Sequence, residues 1–152
     1  GRMSGMKFRE IKENKKQFLS LLLLADEQEN MIDRYLEKGT MYVLDDNGVK
    51  AECVVTDEGD GILEIKNIAT VPEYQGKGYA KALIDFIVKE YADKYSVLQV
   101  GTGDSPLTVP FYEKCGFVRS HIIPNFFTNN YDHPIFECGV KLTDMVIFQR
   151  NL

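Results

Sequence analysis

The chain has 152 residues, 44% of them hydrophobic, and a net charge of −5. That length favours one domain with an ordinary buried core, and the acidic balance argues against nucleic acid, which basic surfaces bind. The longest apolar run, 21–25, is far below the roughly 20 residues of a membrane span. The three cysteines, Cys53, Cys115 and Cys138, lack metal-ligand spacing, so the expectation is reduced thiols, no metal and a cytoplasmic protein.

Residues 1–5 read as a cloning remnant or disordered start, which leaves 6–150 as the domain. Residues 6–11 fit a first strand. Asn14 or Glu13 then opens a helix with Phe18, Leu21, Leu22 and Ala25 on one face. A second helix sets Met31, Ile32, Tyr35 and Leu36 on one side, and Gly39 ends it. Residues 40–45 and 49–56 form a hairpin about Asn47-Gly48, a pair suited to the left-handed positions of a tight turn.

Gly59-Asp-Gly61 turns the chain into a strand over 62–71, which Pro72 stops. After the glycines of 75–79 a helical period begins, with Ala80, Leu83, Ile84, Ile87, Val88 and Tyr91 on one face. Residues 97–101 form a short buried strand, and strand, helix, strand implies a parallel crossover. Pro106 opens the next helix and Gly116 ends it. Residues 117–123 form another strand. Residues 124–139 follow neither period and read as a long loop, of the kind that serves function or moves. The last strand covers 140–150, with Val140, Leu142, Val146 and Phe148 on one side.

The glycine turn between the 62–71 strand and its helix has the chemistry of an anion site. The first amides of a helix lack partners, their dipole favours negative charge, and glycine lets a phosphate approach the backbone. Lys77 adds a formal charge. On spacing alone, a plain turn explains Gly76 and Gly78 equally well. A P-loop is absent, and Lys81 stands where a dinucleotide fingerprint needs its third glycine.

Gln75-Gly-Lys-Gly78-Tyr-Ala80 resembles the coenzyme-A loop of the GNAT superfamily of N-acetyltransferases, whose pattern is Gln/Arg-x-x-Gly-x-Gly/Ala. Asn67-Ile-Ala-Thr-Val-Pro-Glu-Tyr74 is similar to the strand that enters that loop. Phe111-Tyr-Glu-Lys-Cys-Gly-Phe117 resembles the second signature of the family, in the expected order and at an ordinary separation. The resemblance covers most of the chain, though only these signatures are specific. It implies an α/β (α+β) fold: a mixed, mainly antiparallel sheet of about seven strands flanked by about four helices.

The resemblance further implies acetyl-CoA as co-substrate and a small-molecule or peptide amine as acceptor. Amides of Gln75, Gly76, Lys77, Gly78, Tyr79, Ala80 and Lys81 would hold the pyrophosphate. The backbone at Ile68, Ala69 and Thr70 would pair with the pantetheine arm, with Ala69 as the oxyanion donor. Tyr112 would return a proton to the leaving thiolate, and Glu64, 11 positions before Gln75, would act as general base through water. Asp104, His133 and His121 are rivals for that base. Ser105 stands where the family carries an Asn against the cofactor arm. Cys115 reads as core, without the charged surroundings of a nucleophile. Phe126, Phe127 and Tyr131 suggest an apolar wall around the acceptor. The expected activity is N-acetylation by direct attack; the alternative is a module of the same fold that holds CoA without turnover. A homodimer is common among relatives, and the expectation includes no membrane and no nucleic acid partner.

Overall fold

The computed structural model describes residues 5–152, so the reading of residues 1–4 as extraneous lies outside the described residues. Seven strands form one sheet: β1 (Lys7–Ile11), β2 (Thr40–Asp45), β3 (Val49–Asp57), β4 (Ile62–Thr70), β5 (Val97–Gly103), β6 (Val118–Ile123) and a last strand, β9 (Met145–Asn151). Their order is β1-β2-β3-β4-β5-β9-β6. Only β4 and β5 run parallel; every other pair is antiparallel. The mixed, mainly antiparallel sheet is as the sequence implied.

Two apolar layers cover the sheet. On one face, α1 (Leu19–Ala25) and α2 (Glu29–Ile32) place Leu22 and Ile32 over Ile11, Met41, Val43 and Val54. Lys15, though charged, is buried at the start of this layer. Its ammonium donates to the carbonyls of Leu36 (2.8 Å) and Gly39 (2.7 Å), which capping leaves open at the end of the second helical segment. On the other face lie α3 (Tyr79–Tyr91) and α4 (Val109–Lys114). Leu83, Ile84 and Ile87 of α3 are fully buried, each worth about 1.5–3 kcal/mol of transfer. The apolar offsets read from Ala80 onward are this face.

Three local expectations shift. The helix expected at Pro106 begins at Val109, because Ser105–Thr108 close a turn in which the Ser105 carbonyl accepts from Thr108 and Val109. Gly116 ends α4 as expected, with φ 90°; Gly116 donates to Glu113 and Phe117 to Tyr112, closing the helix end. The loop at 124–139 contains a short helix, α5 (Phe126–Asn130), and a strand, β7 (Phe136–Glu137), paired with β8 (Val140–Lys141). The strand expected over 140–150 is therefore two pieces. Leu142 leaves the strand line to bond Ile135 and to pack where Gly103 has no side chain.

Candidate active site

β4 and β5 pair only from Ile62↔Val97 to Ile65↔Val100. Beyond that point β5 stays with β9 as far as Gly103, while β4 stays with β3 as far as Thr70. The parting coincides with a bulge: Val54 faces Asn67 and Val55 faces Ile65, so Lys66 is an extra residue in β4. The resulting gap opens a cavity of about 650 Å³ that runs from the start of α3 past Tyr112 to the end of α1 and to α5. That volume is in the range of small-molecule sites.

The ladder decides which backbone groups face the gap. Val71 N–H donates to Lys50 of β3 at 2.8 Å. Ala69, two residues earlier in an unbroken register, has the same orientation, toward β3. The N–H groups of Ile68 and Thr70 point the other way, into the gap. The expectation of an oxyanion donor at Ala69 is therefore corrected: Ala69 lines the cavity, but its N–H serves the β3 ladder, and the free donor beside it belongs to Ile68.

At one end of the cavity the glycine turn meets α3. Gly76 and Gly78 have φ of 79° and 89°, the left-handed region that L side chains avoid. A Cβ at Gly76 would meet nothing within 4 Å, so conformation rather than crowding selects glycine there. Ala82 N–H bonds back to Gly78, which leaves the amides of Tyr79, Ala80 and Lys81 without helical partners. The Tyr79 hydroxyl donates to Asp46 at 2.6 Å and pins the helix start to the β2–β3 turn. Gln75, Gly76, Gly78, Tyr79, Ala80 and Lys81 all line the cavity, as do Ile68, Ala69 and Thr70. Lys77 does not: its ammonium lies 5.4 Å over the Tyr74 ring, and Tyr74 takes the lining place.

Tyr112 of α4 lines the middle of the cavity amid Phe117 and Phe148 and is 7% exposed. Among the described residues its hydroxyl has no hydrogen-bond partner. Burial pushes the phenol well above its usual range, so it carries its proton at neutral pH. Burial also pushes the neighbouring Cys115 thiol up, which keeps it from acting as a nucleophile.

The other expected groups stand elsewhere. Glu64 is not in the cavity lining; one oxygen accepts from Gln99 at 2.5 Å and the other pairs with Lys66 at 2.6 Å. Ser105 is buried outside the lining and its hydroxyl accepts the Leu107 N–H at 3.1 Å, so it holds a turn; Leu107 and Thr108 line the cavity in its place. Asp104 pairs with Arg119 on the surface, His121 is exposed beside Ser120, and His133 is held by Asp132 next to a smaller cavity.

The far end of the cavity holds groups that sequence reasoning missed. Asp26 accepts the hydroxyls of Tyr35 (2.9 Å) and Tyr131 (2.7 Å). Asn67 donates to Tyr35 (3.1 Å) and to the Leu22 carbonyl (3.0 Å), while its Oδ1 is buried without a partner among the described residues. Glu137 lines the same cavity, as do Phe127 and Tyr131, whose rings are stacked 5.7 Å apart. Phe126 lies behind them and not in the lining. No spacing in the chain announces Asp26 or Glu137, because the fold brings them from positions more than a hundred residues apart.

The same architecture occurs in known proteins. Residues 37–119, more than half of the chain, match the model of the acetyltransferase (GNAT) domain. An uncharacterized N-acetyltransferase of Bacillus subtilis, YvbK, is 35% identical over 137 residues, which is 88% of each chain. A GNAT family acetyltransferase from Elizabethkingia anophelis, solved with acetyl-CoA bound, superposes with a TM-score of 0.92 at 32% identity over 98% of this chain and 99% of that one. A Bacillus subtilis acetyltransferase solved in complex with CoA gives 0.87 at 33% identity over 97% and 99%. Sequence signatures, fold and relatives agree: the chain belongs to the GNAT superfamily of N-acetyltransferases.

Proposed function

We propose that the protein transfers an acetyl group from acetyl-CoA to a primary amine by direct attack of the amine. The observation that carries this is the continuity of one cavity from the free amides of α3, along the β4–β5 gap, to Tyr112. Acetyl-CoA supplies the acetyl group as an activated thioester. The amides of Tyr79, Ala80 and Lys81 and the left-handed Gly78 fit a pyrophosphate, by partial positive charge and by absence of a Cβ. The outward backbone groups of Ile68 and Thr70 suit an extended arm that pairs as a strand would. The Ile68 N–H, which points into the gap, would polarise the acyl oxygen. The Tyr112 phenol holds the proton that a leaving thiolate requires.

Calorimetric titration of acetyl-CoA into the wild type and Gly78→Glu tests this reading. Binding by the wild type that is lost in the variant supports it, because a side chain there adds strain, bulk and negative charge. Absence of binding by the wild type overturns it. Acetyl transfer to an amine separates an enzyme from a module that holds CoA without turnover.

A further inference from the structure

We infer that Glu137 receives the acceptor as a primary ammonium with a flat apolar body and takes the proton that frees its nitrogen to attack. This rests on the acetyl-transfer reaction proposed above. Four carboxylates near the cavity compete for the role. Glu64 has both oxygens engaged and is outside the lining. Asp26 has both oxygens committed to tyrosine hydroxyls. Glu52 is fully buried in β3 with no partner among the described residues, but it does not reach the lining. Of the four, only Glu137 both lines the cavity and keeps an oxygen, the buried Oε2, without a hydrogen-bond partner among the described residues.

A shielded, unpartnered carboxylate oxygen is costly unless a donor arrives, and an ammonium supplies both donor and charge. Asn67 also lines the cavity, and its buried Oδ1 is a second acceptor without a hydrogen-bond partner among the described residues. Phe127 and Tyr131 offer stacked faces to an apolar body, and their geometry is held by the bond from Tyr131 to Asp26. Tyr112 lines this same cavity.

The protons balance. Glu137 takes one from R–NH3⁺ and later releases it to solvent. The nitrogen lone pair forms the C–N bond, the C–S bond breaks, and the thiolate takes the Tyr112 proton. The second proton of the nitrogen returns to Tyr112, so the products are the amide, the thiol and one released proton.

The test uses 2-phenylethylamine, an ammonium at neutral pH, and 4-methoxyaniline, whose amine is already neutral. In Glu137→Gln, kcat/KM for 2-phenylethylamine should fall about a hundredfold at pH 7 and recover toward wild type by about pH 10, where the free amine predominates. The loss for 4-methoxyaniline should be much smaller. Calorimetry should give weaker binding of 2-phenylethylamine and unchanged binding of acetyl-CoA, which also shows that the variant is folded. Glu64→Gln should resemble wild type in every measurement. Equal losses for both amines, a loss that does not recover with pH, or an unaffected Glu137→Gln overturns the role of Glu137. A wild type that binds acetyl-CoA but neither binds nor acetylates 2-phenylethylamine overturns the acceptor class. Failure to bind acetyl-CoA overturns the acetyl-transfer reading beneath both.

Discussion

The hydroxyl of Tyr131 donates to Asp26 at 2.7 Å and fastens the irregular segment after β6 to the end of α1. These residues stand 105 positions apart, and their bond closes the far wall of the cavity. Tyr131→Phe keeps the ring stacked on Phe127 but removes a donor from a half-buried carboxylate. Bonds to charged groups are worth about 1.5–3 kcal/mol, so denaturant unfolding should show a loss of about that size. Hydrogen exchange should quicken over α5 while α3 keeps its protection. Unchanged exchange in α5 would mean the bond does not hold the wall.

Tyr112 is enclosed by Phe117 and Phe148, so Tyr112→Phe should fold normally and leave the acetyl-CoA affinity unchanged. Its kcat should fall by about 10² or more, the usual contribution of a positioned acid. Because burial raises the phenol above its ordinary value near 10, the protonated donor persists through neutral pH. The wild-type rate should therefore show no loss from Tyr112 ionisation below about pH 10. A kcat for Tyr112→Phe equal to wild type would assign the returning proton to water.

Glu52 is buried in β3 without a partner among the described residues, and burial holds its carboxyl well above the usual carboxylate range. At a pH between the unfolded and folded values, the folded chain keeps a proton that the unfolded chain has lost. Stability therefore falls as pH rises through that window, by up to about 1.4 kcal/mol per pH unit from this group. Glu52→Gln has no such proton. The stability of wild type minus that of Glu52→Gln, from denaturant unfolding, should fall steadily from about pH 4.5 upward. A difference that is flat with pH would show that the carboxylate is charged and compensated in the folded state.

Gly39 is selected by space and not by backbone conformation. A Cβ there would stand 2.8 Å from the Tyr35 carbonyl oxygen and 3.1 Å from that of Val55. Neither carbonyl can swing aside as a flexible side chain would, so Gly39→Ala should cost about 1–3 kcal/mol. Gly59→Ala, whose Cβ meets nothing within 4 Å but whose φ is 83°, isolates the cost of the left-handed backbone alone. Comparison of the two midpoints in thermal unfolding checks the distinction. Equal small losses would show that the end of the second helical segment can give way.

The sequence by itself determined whatever depends on near neighbours. Asn47-Gly48 placed the hairpin, since both residues adopt positive φ where few others do. The period from Ala80 onward described the buried face of α3, and Gly76-Lys-Gly78 located the helix start with free amides. Residues 124–139 carry no period because long-range bonds hold α5: Phe127 N–H to Thr143, Asn125 N–H to Asp144, and Tyr131 to Asp26. The choice between Ala69 and Ile68 rested on ladder parity, which depends on how β3 registers against β4 and cannot be counted along one strand. Glu64 matched a motif, yet Gln99 and Lys66 claim its oxygens; Glu137 matched none, yet it lines the cavity with one oxygen unclaimed among the described residues. Motif spacing reports which residues are present. Only the tertiary structure decides which of their polar atoms remain free, because the partners that occupy those atoms come from other strands and helices.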